Sequence, residues 1–294
     1  MKTDGTTKTY GIIGWPVKHS LSPVFQTAFL QQHSINAAYL PFAVAPDLLA
    51  DAMDGLWALG VEGFNVTVPH KESVFQMVSA DEDARLIGAV NTVKRGDRGW
   101  IATNTDWRGF AAVVEGLGFA TAGQTAVLFG AGGTARAVLH ALAGMGLETI
   151  YICNRNPERL AGFISFAQNS YPQANCQAID WQQTAVTEAC RKSALLVNTT
   201  SIGLQDGQGF PFELSAGHGV AIDAVYKPDG QTAFVRAAAA TRGVVDGLPM
   251  LIAQGAEAFA WWHACKRPDC SAALSQIEQL LGRQPLQLPG WSRS

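Results

Sequence analysis

The run Gly130-Ala131-Gly132-Gly133-Thr134-Ala135 fits the G-x-G-x-x-A pattern. It lies between a short apolar run at 125–129 and helically spaced apolar residues at 134–145. That context gives each position a physical job. Gly130 allows a tight turn out of a strand, Gly132 lets the backbone approach a pyrophosphate, and Ala135 lets the helix pack closely on the strand. The helix start then offers N–H groups and a partial positive charge to an anion through Ala131, Gly133 and Thr134.

The end of the following strand selects between dinucleotides. An NAD site places a carboxylate there to hold the ribose 2′-hydroxyl. Here the chain reads Asn154-Arg155-Asn156-Pro157-Glu158-Arg159. With no acid at the strand end, and with Arg155 and Arg159 able to make charge-assisted bonds to a 2′-phosphate, the expected cofactor is NADP. Glu158 keeps NAD as the alternative.

A second group of polar residues sits in apolar surroundings nearer the start. Ser20 and Ser22 follow His19, and Asn65, Thr67 and Lys71 come from Asn65-Val66-Thr67-Val68-Pro69-His70-Lys71. Asn91 closes Gly88-Ala89-Val90-Asn91, and Asp106 ends Asn104-Thr105-Asp106. Alternation puts Asn65 and Thr67 on one strand face, with Lys71 at the turn into a helix. Strand ends beside a dinucleotide unit are where α/β enzymes place their chemistry. Each residue also has a structural alternative. Ser22 suits an N-cap with Pro23 at the first helical position, Asp106 suits a cap near Trp107, and Asn65 and Thr67 suit sheet or turn bonds.

Strand patterns at 10–14, 38–44 and 63–68 alternate with helices at 23–33 and 48–59, and a strand pair follows at 89–94 and 100–104. Strands at 125–129, 148–153, 195–198 and 220–224, with helices between, read as a doubly wound unit. Helices at 251–263 and 272–281 follow, and 282–294 reads as a frayed tail. The expected class is therefore α/β with mostly parallel sheets.

In order, the strings G-x-P…H-S-x-S-P, N-V-T-V-P-x-K, G-A-V-N-T, N-T-D, G-A-G-G, N-R, N-x-T-x-x-G, D-x-x-Y and D-G-x-x-M-L-x-x-Q run through nearly the whole chain. This sequence resembles the shikimate dehydrogenase family. The resemblance implies an N-terminal α/β substrate domain at 1–106, rejoined by 247–294, and a Rossmann-type domain at 107–246, with the active site in the cleft between them. It implies that Ser20 and Ser22 bind a substrate carboxylate and Thr67 contacts the ring. Asn91, Asp106 and Gln254 bind ring hydroxyls or the ring, and Tyr226 lies near the carboxylate. Lys71, beside Asp106, does the proton work or chiefly stabilises the oxyanion; residue types leave both roles open. Thr199 and Gly247 are carried over to the cofactor side, with Asn154. The implied reaction is NADP-dependent reduction of 3-dehydroshikimate to shikimate. The alternatives are a quinate-type paralogue using NAD and a non-catalytic nucleotide sensor. Trp107, Pro249, Gly255 and Asn156 depart from the family's usual residues, which bears on the ring substrate and the cofactor rather than on the reaction type.

Bulk composition agrees. The 294 residues are 48% hydrophobic and 15% charged, with 21 Lys+Arg against 24 Asp+Glu and a net charge of −3. This balance predicts neither a nucleic-acid nor a membrane partner. No run reaches the roughly 18 apolar residues of a membrane span, and 1–9 has no signal-peptide core. Five cysteines in no zinc spacing suit reduced thiols in the cytoplasm. No metal is expected, because a nicotinamide carries the redox step. The partner expected is a small ring hydroxy acid, on a monomer or homodimer.

Overall fold

A computed structural model describes residues 3–205, 207–286 and 288. Part of the tail expected to fray, 287 and 289–294, lies outside the described residues. Contacts divide the chain into two units: Met1–Gly109 with Leu251–Ala273, and Phe110–Met250 with Leu274–Ser294.

The first unit follows the order β1 (Lys8–Gly14), α1 (Ser22–Gln32), β2 (Ala37–Ala43), α2 (Leu49–Ala58), β3 (Gly63–Val66), α3 (Lys71–Phe75), β4 (Ser79–Ala80), α4 (Glu82–Ile87), β5 (Thr92–Gly96) and β6 (Gly99–Thr103). Its sheet has the order β2-β1-β3-β5-β6-β4. β1 pairs parallel with β2 and β3, whereas β5 is antiparallel to β3 and β6. β4 also pairs parallel with β6, so the sheet is parallel-rich as expected, and β5 alone runs against its neighbours, with the tight turn before Gly99 returning the chain directly alongside itself. Phe64, Val66, Val93 and Trp100 form the core of one face, with Met53 and Leu56 of α2.

The next helix, α5 (Asp106–Gly116), leads into β7 (Thr125–Phe129), α6 (Gly133–Ala143), β8 (Thr149–Cys153), α7 (Pro157–Ser170), β9 (Cys176–Ile179), α8 (Gln183–Lys192), β10 (Leu195–Asn198), β11 (Gly219–Asp223), α9 (Ala233–Ala238) and β12 (Arg242–Val245). The second sheet, β12-β11-β10-β7-β8-β9, is parallel throughout. This is the doubly wound order, with its switch point between β7 and β10. Phe129, Phe212 and Phe234 pack in its core.

The chain closes with α10 (Leu248–His263) and α11 (Cys270–Leu281). From Leu274 on, α11 groups with the second unit. The physical tie is Arg283, whose guanidinium grips Asp246 at 3.0 and 3.1 Å, both side chains being buried. All five cysteines are free thiols. Among the described residues, no helix is long and apolar enough to cross a membrane.

Candidate active site

Lys71 opens α3, where its backbone carbonyl accepts from Val90 N at 3.0 Å. The preceding His70 is buried and donates through Nε2 to the Val44 carbonyl at 2.7 Å, which fixes the turn. Asp106 opens α5, and its N–H donates to Asn104 Oδ1 at 3.0 Å. The Asn104 amide in turn donates to the Ala89 carbonyl at 2.9 Å. These local bonds bring Lys71 Nζ onto Asp106 Oδ2 in an ion pair that is almost wholly withdrawn from solvent.

Asn91 organises the other side of the pair. Its amide nitrogen donates to Asp106 Oδ1 at 2.8 Å, Gln254 Oε1 at 3.0 Å and Thr105 Oγ1 at 3.0 Å. Its oxygen accepts from Thr105 N at 2.7 Å and from the Thr92 hydroxyl at 2.9 Å. Gln254 is further held by donating to the Leu251 carbonyl at 2.7 Å. A buried polar cluster of this kind persists only when its members are mutually satisfied, and it is correspondingly rigid. α10 is seated by Trp262, whose indole donates to the Val93 carbonyl at 2.9 Å over Gly63.

Ser20 and Ser22 form a second set. The sequence made Ser22 an N-cap, but Leu21 occupies that position with no side-chain cap, and Ser22 is the first helical residue. Its N–H donates to Ser20 Oγ at 3.2 Å, so Ser20 takes the capping bond. The Ser22 hydroxyl instead bonds the phenol of Tyr39, which burial pushes well above its ordinary pKa. Tyr39 donates to Asn65 Oδ1 at 2.7 Å, and the Asn65 amide donates to the Asn91 carbonyl at 3.1 Å and to Thr92 Oγ1 at 3.2 Å. One hydrogen-bonded chain therefore joins Ser22 to the Lys71–Asp106 pair. Thr67 lies past the end of β3, not within a strand to residue 68, and its methyl takes the space left by Gly14.

Tyr39, Thr92 and Thr105 were missed from sequence. Their signal was faint: a Tyr at an inward strand position must find a partner for its hydroxyl, but the alternation does not name one.

In the second unit, Gly130 has φ +115°, a conformation side chains disfavour, and a Cβ there would collide with Thr199 Oγ1. Thr199 donates from its hydroxyl to the Phe129 carbonyl at 2.7 Å, so the ends of β7 and β10 meet at the switch point. Gly132 is the N-cap of α6 with no side-chain capping bond, and no protein atom stands within 4 Å of where its Cβ would be. A helix start without a side-chain cap, approached over a bare glycine with Ala131, Gly133 and Thr134 half-buried around it, fits a pyrophosphate. Arg155 and Arg159 are exposed after β8, where Asn156 caps α7 by accepting from Arg159 N at 2.8 Å and Asn154 donates to the Asn156 carbonyl at 3.0 Å. Those two cations with no carboxylate at the strand end fit a 2′-phosphate.

Tyr226 follows β11 and is half-buried. Asp223, which begins that loop, accepts from Asn198, Thr232 and Val225 N, and burial raises its pKa to about 7. Gly247 donates to the Val225 carbonyl at 2.9 Å, and a Cβ on it would stand 2.6 Å from the Ala224 carbonyl carbon. Among the described residues, no group of three or more His, Cys, Asp or Glu is arranged to hold a metal.

Comparison with known proteins agrees with this geometry. The model of the shikimate dehydrogenase substrate binding domain matches residues 12–93. A shikimate dehydrogenase (NADP(+)) of Geobacter metallireducens is 39% identical over 272 residues, covering 91% of this chain and 95% of that protein. The crystal structure of shikimate dehydrogenase from Aquifex aeolicus superposes with a TM-score of 0.82 at 34% identity, covering 94% of this chain and 99% of that one. A Thermus thermophilus shikimate 5-dehydrogenase, solved with NADP(H) and shikimate, gives 0.79 at 31% identity, covering 94% and 100%. The chain belongs to the shikimate dehydrogenase family.

Proposed function

We propose that the protein is an NADP-dependent shikimate dehydrogenase that reversibly reduces 3-dehydroshikimate to shikimate. The observation that carries this reading is the buried Lys71–Asp106 pair, held by Asn91 and joined through it to Gln254. When bound, the nicotinamide supplies or accepts the hydride.

The chain's own residues do the rest. Lys71 Nζ gives a proton to the alkoxide oxygen as the ketone is reduced and takes it back in the reverse direction. Asp106 orients the amine, and Asn91 keeps the second carboxylate oxygen engaged. Asn91, Asp106 and Gln254 present donors and acceptors to ring hydroxyls, while Ser20 and Ser22 meet the carboxylate. Thr67 and Tyr226 complete the substrate contacts in this reading. Gly130, Gly132 and the start of α6 cradle the pyrophosphate, with Thr199 and Gly247 beside the dinucleotide, and Arg155 and Arg159 take the 2′-phosphate. Five unpaired thiols suit work in the cytoplasm.

The test measures rates with shikimate and quinate, each with NADP and NAD. Shikimate with NADP is expected to give the highest kcat/KM; preference for quinate with NAD overturns the assignment. Lys71→Met is expected to lower kcat by about 10²–10⁴-fold, the span of general acid–base help, with NADP affinity retained. Retained turnover removes Lys71 from the mechanism.

A further inference from the structure

α1 and α10 approach each other over Gly255. A Cβ on Gly255 would stand 2.6 Å from Phe25 Cζ, and closer still to Cε2. The Phe25 ring has little room to retreat. It is 1% exposed and packs on Phe29, which packs on Phe259 of the same α10, with centroids 5.7 and 5.6 Å apart. The neighbouring Gln26, also buried, donates through Nε2 to the Gly255 carbonyl at 2.9 Å. The two helices are therefore latched by a hydrogen bond beside a ring-on-glycine contact.

Both ends of the candidate substrate site hang on this latch. Ser22 lies three and four residues before Phe25 and Gln26, which puts it on the same face of α1. Gln254 is the residue next to Gly255. We propose that Gly255 is a positioning residue that sets the span between the carboxylate-binding Ser22 and the ring-binding Gln254, and so selects ring geometry. The inference rests on the functional reading above and deepens it. Carbon atoms pack at about 3.5–4.0 Å, so an alanine at 255 must push the helices apart by about 1 Å or tilt the Phe25 ring against its neighbours. Asn91 cannot follow Gln254, because its other bonds tie it to Thr105 and Asp106.

The experiment is G255A, F25L and the double variant F25L/G255A, assayed with shikimate and quinate. Misplacing reacting groups by about 1 Å costs up to about 10²-fold. G255A is expected to lower kcat/KM for shikimate by about 10–100-fold while the KM for NADP changes less than about twofold, the retained NADP KM being the control for folding. The ratio of shikimate to quinate kcat/KM is expected to fall. F25L/G255A, in which a shorter side chain makes room for the new methyl, is expected to recover at least about tenfold over G255A. Three outcomes overturn the proposal: G255A with wild-type kinetics, equal losses on both acids, or no recovery in the double variant. A wild-type protein inactive on shikimate with NADP sinks the functional reading itself, whereas an active wild type with an indifferent G255A sinks only this inference.

Discussion

Arg283→Met tests how the second unit is held together. The guanidinium makes a two-pronged bond to Asp246, with side-chain exposures of 4% and 0%. Methionine keeps most of the volume and removes the charge. Among the described residues, Asp246 would then keep backbone donors, Leu248 N at 3.4 Å and Lys227 N. Stranding one member of a buried pair costs about 3–5 kcal/mol. At about 2–4 °C per kcal/mol for a unit of this size, the melting temperature should fall by about 6–20 °C. A pH signature separates stranded charge from lost packing. Burial already raises the Asp246 pKa despite Arg283, and removing the cation raises it further. The folded variant then binds a proton that the unfolded chain releases until its own, lower pKa, so the variant's deficit shrinks as pH falls. Asp246→Asn in the Arg283→Met background should recover most of the loss at neutral pH, because no charge is left buried. Calorimetry or circular dichroism melts between pH 5 and 8, about the span over which native carboxylates and histidines matter, make the measurement. A fall below about 3 °C, or a deficit that does not change with pH, refutes the reasoning, given the 2–4 °C conversion.

Two more predictions concern the first unit. His263 has a buried Nε2 without a partner, and burial, with Lys8 and His33 adding to it, lowers its pKa to about 4. The unfolded chain therefore takes up this proton first, so stability is full above about 6.5 and declines as pH falls toward about 4; parallel melting curves for wild type and His263→Leu across that window would exclude it. Tyr39→Phe leaves Asn65 Oδ1 without its donor inside the fold and should cost about 1–3 kcal/mol in urea unfolding, whereas an unchanged midpoint would mean that the chain from Ser22 to Asn91 is not sustained by the phenol.

Much of this protein was legible from local sequence. The glycine turn follows from a strand, G-x-G-x-x-A and a helix in immediate succession, because backbone sterics and an uncapped helix start are properties of a few adjacent residues. The strand at 125–129 appears with the expected limits, and Lys71 opens its helix as expected. The roles expected of the site residues came from the family strings, because residue types and spacing alone leave them open.

Tertiary structure decided which of those polar groups share one space. Asn91 meets Gln254 across 163 residues of sequence, and Gln26 meets the Gly255 carbonyl across 229. Ser22 has the composition of an N-cap, yet its hydroxyl turns to Tyr39, since a phenol taken out of water must be satisfied and the helix start has Ser20. Just past α11, Arg283 finds Asp246 within the second unit, a partner that no periodicity identifies. Turns, caps and periodicity are written in neighbouring residues, whereas the cost of desolvating a charge or a hydroxyl is settled only by what the folded chain places against it.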